Sequence, residues 1–226
     1  LGVAAFKIAS ADIVDLPLHD YVASTGKPVI FAVGMTTYGE IERVLEVYRK
    51  RKNRKVAMLH CVSNYPASHE SLNLNVITTL RSAFPVPVGY SDHSLGSTAA
   101  VAAAVLGACV FEKHFTLDNT MPGPDHKASA EPDEFRSFAE AIRLTPVVLG
   151  SPAKAVQAEE ASMRSISRKS LVADRPIPKG AVVTRSMLTL KRPGAGIPYC
   201  DIGSVIGRKT KRDIAPDTLI SFGDFE

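Results

Sequence analysis

The chain has 226 residues, 45% apolar and 22% charged, a balance that suits a globular protein with a sizeable core and excludes a disordered or low-complexity chain. No apolar run approaches the roughly 20 residues of a helical membrane span, so a membrane partner is not expected. The net charge of +4 sits at the carboxyl end: residues 168–226 hold 11 of the 27 Lys and Arg and 6 of the 23 Asp and Glu, a local +5.

The chain opens on Leu1, directly in a strand-like run. Residues 4–9 predict a strand ending in Ser10, Ala11 and Asp12. Lys7 falls inside that run, and a charge in a buried strand needs a partner or a role. Residues 16–25 predict a short helix stopped by Gly26, and residues 28–33 (PVIFAV) a second strand. Residues 37–52 predict a helix with Ile41, Val44, Leu45 and Tyr48 on one face, and Thr37 with Glu40 forms a capping box at its start. A third strand over 55–60 leads into Cys61, Val62, Ser63, Asn64, Tyr65 and Pro66, followed by a helix over 74–84. The stretch 86–118 then reads strand, helix, strand. VPVGY ends in Ser91, Asp92 and His93, an Ala-rich helix covers 97–106, and ACVF (108–111) ends in Glu112, Lys113 and His114. Residues 132–149 predict a last helix, broken or kinked near Pro146.

Short apolar runs without clean alternation are expected of a parallel sheet covered on both faces. Five strand–helix units at this spacing predict the carboxyl-terminal part of a TIM (β/α)8 barrel, an α/β fold. By that count three strands precede Leu1, and this stretch by itself is expected to be inactive. In a β/α barrel the carboxyl ends of the strands form the active face. His93 and His114 then lie side by side on it, with Asp92 and Glu112 next to them in sequence, which points to a divalent metal site. A loop on the same face, 121–129, is rich in Pro and Gly yet carries Asp125, His126 and Lys127, more than a turn requires.

Residues 1–149 are assigned to the partial barrel, 150–167 to a polar, Ala-rich and partly helical linker, and 168–226 to a small β-type domain. That last domain contains a repeat: 177–184 (IPKGAVVT) matches 214–221 (IAPDTLIS), each a turn followed by a β-branched strand, which predicts a pseudo-two-fold β fold. Its basic charge lacks aromatic interleaving or a nucleic-acid motif, so a small anion is the expected partner and no nucleic acid. Cys61, Cys109 and Cys200 have no metal-ligand spacing, and a reducing, cytoplasmic setting is expected.

The motifs FKIAS (6–10), LHCVSNYP (59–66), GYSDHS (89–94), FEKHFTLD (111–118), PGPDHKAS (122–129) and LKRPGAGI (190–197) resemble the sialic acid synthase family over essentially the whole chain. The resemblance implies a β/α barrel joined to an antifreeze-like (SAF) domain of β-clip fold. It implies condensation of phosphoenolpyruvate with an N-acylated mannose-type amino sugar and water, giving a nonulosonic acid and phosphate. It implies a divalent metal on His93 and His114, Mn2+ foremost, with Mg2+ or Co2+ as alternatives. Lys7, Ser10, Ser63 and Ser91 match phosphoenolpyruvate-binding positions, and Tyr65 and Asp125 match sugar-site positions. Arg192 matches the arginine that the SAF domain places over the partner's site in a domain-swapped homodimer. Asp12 departs from the family, where some members carry Glu, and Ser63 is Asn in others. Lys7, Asp12, Tyr65, Asp125 and Arg192 are thus the catalytic candidates. Another phosphoenolpyruvate–aldose synthase, of the 3-deoxy sugar acid type, and a non-catalytic binding or dimerising module are the competing readings.

Overall fold

The structure, a computed structural model, describes residues 2–226 and divides into two units, Leu1–Pro152 and Ala153–Glu226. Within the first, five strands form one parallel sheet in sequential order: β1 (Phe6–Ile8), β2 (Val29–Ala32), β3 (Val56–His60), β4 (Val88–Asp92) and β5 (Phe111–Lys113). Between and after them run α1 (Leu16–Ser24), α2 (Tyr38–Lys50), α3 (Val76–Ala83), α4 (Thr98–Val105) and α5 (Pro132–Leu149). Sequential order is the barrel topology, in contrast to the reversal of a doubly wound sheet.

The sheet curls. In a flat sheet β1 and β5 would lie about 19 Å apart, four spacings of roughly 4.8 Å, further than a Lys and a Glu side chain reach together. Yet Lys7 Nζ of β1 lies 3.3 Å from Glu112 Oε2 of β5. The five strands therefore form an arc of a barrel whose concave face brings the first and last strand ends together.

The convex face is sealed by the helices. Phe31, Met58 and Tyr90 of the strands and Val44 and Tyr48 of α2 are almost wholly buried in one core. The four apolar positions expected on α2 (Ile41, Val44, Leu45 and Tyr48) are its buried residues, and Thr37 and Glu40 form the capping box. Two expectations are corrected. Of the break or kink expected near Pro146, the break does not occur, and α5 is continuous to Leu149. Pro146 lacks the N–H that would reach Ile142 O, and around it Thr145 Oγ1 donates to Ala141 O and Gly150 N to Pro146 O. The fifth strand begins at Phe111, three residues later than its apolar run: Ala108 N is drawn back to Ala103 O at the exit of α4, and Cys109 and Val110 bond to β4 as its lead-in.

In the second unit, α6 (Ala161–Ser167) precedes a two-stranded antiparallel sheet of β6 (Ser170–Ala173) and β7 (Leu188–Lys191). The two repeat copies pair on each other. Ile177 and Ile214, both buried, exchange reciprocal backbone hydrogen bonds of 2.9 Å. The turn residues Gly180 and Asp217, at equivalent places in the repeat, both take positive φ, 78° and 63°. The strands expected after these turns occur only as isolated bridges, Val182↔Lys209 and Val172↔Leu219. Among the described residues no helix is long and apolar enough to cross a membrane, and all three cysteines are free.

Candidate active site

Side chains alternate across a strand. At the ends of β4 and β5, Ser91 and His93 share one face, as do Glu112 and His114, and Ser91 is the register partner of Glu112. Contacts identify this as the concave face. Lys7 Nζ pairs with Glu112 Oε2, and Ser91 Oγ donates to Glu112 Oε1 at 2.9 Å. Glu112, to which the motif analysis gave no role of its own, thus stands at the centre of the group. The signal that could have found it is parity: it lies two residues before His114, as Ser91 lies two before His93.

His93 is buried, and burial holds its imidazole below the ordinary histidine range. Its Nδ1 lies 2.7 Å from Val62 O. A carbonyl only accepts, so Nδ1 carries the proton and Nε2 keeps a lone pair. Nε2 is 3.2 Å from Ser91 Oγ, whose single proton can serve Glu112 or His93 but not both. The His93 and His114 rings lie 5.3 Å apart between centroids and nearly perpendicular, at 88°. Tyr65 packs against both, at 4.3 Å and 5.1 Å. Burial pushes the Tyr65 hydroxyl above its ordinary pKa, and Cys61, Asp125 and Glu112 add in the same direction.

A second cluster lies at the ends of β1, β2 and β3. Ser10 Oγ accepts from Gly34 N at 2.9 Å and lies 3.2 Å from Cys61 Sγ. A Cβ on Gly34 would come within 2.5 Å of Ser63 Oγ, 2.8 Å of Cys61 Sγ and 3.0 Å of Ser10 Oγ, so only glycine admits this convergence. Asp12 sits exposed in the turn after β1, and its carboxylate makes no hydrogen bond or ion pair with another described residue. Asp125 is exposed too; its backbone carbonyl accepts from Ala128 N and Ser129 Oγ, and its tie to the group is its charge near Tyr65. Arg192 belongs to the second unit. Its Nε donates to Ser167 O at 3.1 Å, and its terminal nitrogens have no partner among the described residues. Asp92, expected beside the histidines, faces the other way and pairs with Lys113.

The residues present fit a divalent ion. His93 offers Nε2, and the His114 ring has no hydrogen-bond partner among the described residues. Two imidazoles suit a first-row divalent metal. Among the described residues no three His, Cys, Asp or Glu gather as a ready-made site, so an ion here would complete its coordination with water or substrate oxygen.

Comparison with known proteins places these residues in a family. Residues 1–154 match the model of the NeuB family and residues 168–226 that of the SAF domain. The N,N'-diacetyllegionaminic acid synthase of Campylobacter jejuni is 41% identical over 97% of this chain and 66% of its own length. The human N-acetylneuraminate-9-phosphate synthase is 37% identical over 97% of this chain and 62% of its own. The crystal structure of an N-acetylneuraminic acid (sialic acid) synthetase from Leptospira borgpetersenii, in complex with citrate, superposes with a TM-score of 0.66 at 38% identity, covering 72% of this chain and 56% of that one. The chain thus spans about two thirds of the length of the curated relatives it matches. With a curled parallel sheet, a concave face carrying Lys7, Glu112 and two histidines, and a SAF domain following in sequence, the chain belongs to the NeuB family.

Proposed function

We propose that this protein condenses phosphoenolpyruvate with an N-acylated mannose-type sugar and water, giving a nonulosonic acid and phosphate. The observation that carries the reading is the concave-face group, in which Lys7 and Glu112 meet across the sheet beside the paired rings of His93 and His114. The relatives' names as legionaminic and neuraminate-9-phosphate synthases support the reaction class.

Phosphoenolpyruvate brings a carboxylate and a phosphate. Lys7 supplies positive charge to them, Ser10 and Ser63 supply hydroxyls around the close approach at Gly34, and Ser91 supplies one beside Glu112. A divalent cation on His93 and His114, Mn2+ foremost with Mg2+ or Co2+ as alternatives, supplies Lewis-acid polarisation of the sugar aldehyde. Tyr65 packs on both rings and holds them in place, and with its exposed edge it meets the sugar. Glu112, over a third exposed and held by Lys7 and Ser91, takes the proton of the water that adds to the former enol carbon. Asp12 and Asp125, both exposed, bind sugar hydroxyls. Arg192, anchored through Nε with its fork free, closes over the partner subunit's site in a homodimer and excludes water.

Phosphate release from phosphoenolpyruvate by the intact protein tests this, against N-acetylmannosamine, its 6-phosphate and the diacetamido-trideoxy sugars that lead to legionaminic or pseudaminic acid. One of these sugars should trigger release. Absence of sugar-dependent release with every sugar and with Mn2+, Mg2+ and Co2+ refutes the proposal.

A further inference from the structure

The concave face accounts for Ser91, His93, Glu112 and His114. The opposite face of the same strand ends carries a second pair that the proposed reaction does not use. Asp92 and Lys113 are register partners, and Lys113 Nζ lies 2.9 Å from Asp92 Oδ2 with the two side chains 4% and 0% exposed. The ammonium spends its other donors on Ser94 O and on Gly96 O at 3.2 Å, and lies 5.2 Å from the centre of the Phe138 ring of α5. Asp92 Oδ1 accepts from Ser94 N at 2.9 Å, Ser94 Oγ at 2.7 Å and Tyr90 OH at 3.2 Å. Every polar atom of the pair is satisfied.

Taking two charges out of water is costly, and well-packed apolar residues are often as stable in their place. Apolar residues are also what a parallel strand under helices usually carries. The connections show what the pair adds. It bolts β4 to β5 one residue before each histidine. It also ties down residues 94–96, the turn by which the chain leaves His93. We propose that Asp92 and Lys113 are a positioning pair that fixes the His93 and His114 rings at metal-binding geometry; this rests on the metal reading given under Proposed function.

The test removes both charges and keeps the shape, with Asp92→Asn and Lys113→Met together. Urea denaturation, Mn2+ titration by calorimetry and the 15N-detected tautomer of His93 are then measured on the intact protein. The double variant should unfold near the wild-type midpoint. It should bind Mn2+ about 10–100-fold more weakly, the usual range for loss of support behind a metal ligand. His93 should lose its single Nδ1–H tautomer. A folded double variant with wild-type Mn2+ affinity and a wild-type His93 tautomer overturns the proposal. Should the double variant not fold, Ser94→Ala removes one hydroxyl from Asp92 without touching a charge. A several-fold loss of Mn2+ affinity supports positioning, and no loss overturns it. Should the wild type bind no Mn2+, the metal reading fails, and the tautomer alone decides: a His93 tautomer unchanged in the double variant overturns positioning as well.

Discussion

Gly89→Ala should separate β4 from β5. Gly89 is buried in β4, and a Cβ there would stand 2.2 Å from Val110 O, 2.6 Å from Leu59 Cδ2 and 2.9 Å from Val110 C. Leu59 can turn aside, but Val110 O is backbone and accepts Tyr90 N at 2.8 Å. Restoring ordinary contact needs more than 1 Å of displacement between two strands. That displacement breaks the Tyr90–Val110 bond and strains the adjacent Cys109 N to Val88 O bond of 3.0 Å. Overpacking at about 1–3 kcal/mol, with two backbone hydrogen bonds at roughly 1 kcal/mol each, gives about 3–5 kcal/mol of destabilisation. Gly39→Ala is the control. It lies in α2 with nothing within 4 Å of its Cβ, and should stabilise by up to about 1 kcal/mol. Urea titrations of both variants read the difference. Loss of less than 1 kcal/mol in Gly89→Ala, or equal behaviour of the two variants, refutes the close-approach reasoning.

His19 and His60 are both pulled below the ordinary histidine range, chiefly by burial. The unfolded chain takes up their protons as pH falls through about 6.5 while the folded chain does not, so stability is full above that pH and falls below it, by up to about 2.7 kcal/mol per pH unit for the two; urea midpoints that stay flat from pH 7.5 to 5 contradict this. Glu112→Gln should lower kcat/KM for the proposed condensation by roughly 10²-fold or more. Stability should change by less than about 1 kcal/mol, because both partners of the Lys7–Glu112 pair are over a third exposed, and a large stability loss with unchanged turnover would reverse the assignment. Arg192→Ala should lower kcat/KM by roughly 10²-fold, the scale of a lost charge-assisted contact. Mixing it with subunits lacking His93 should restore activity, and no recovery in heterodimers shown to form puts Arg192 at its own subunit's site or at none.

Much of this fold was written in local pattern. Helical spacing marked Ile41, Val44, Leu45 and Tyr48 as the buried face of α2, and the matched 177–184 and 214–221 copies marked two like segments, though not that they pair through Ile177 and Ile214. What hydropathy lacks is any record of which side of a buried strand faces the chemistry; only parity with the histidines carries it. A parallel sheet covered on both faces shows no hydropathy alternation, so Asp92 and His93 read alike in a linear sequence. The same holds for residues 150–167, whose polar composition reads as a linker. Their last turn in fact braces the Arg192 loop, because the final carbonyls of α6 have no partner in their own helix. Ser165 O accepts Gly194 N at 2.7 Å, and Ser167 O accepts Arg192 Nε.

Register decides the rest. Ser91 faces Glu112, and Asp92 faces Lys113, on successive rungs of the same β4–β5 ladder. One rung makes the acid group of the concave face, and the next makes a buried ion pair against α5. A slip of one residue would exchange the two faces of β5. With Glu112 against Asp92, two carboxylates would be buried together, Phe111 would stand against Ser91, and Lys113 would leave Asp92 for the concave face. That like-charge burial is unfavourable enough to exclude the slipped register. The pair on the convex side thus specifies the alignment that the concave side needs, and the arrangement of Glu112, His93 and His114 depends on charges that never meet the reacting atoms.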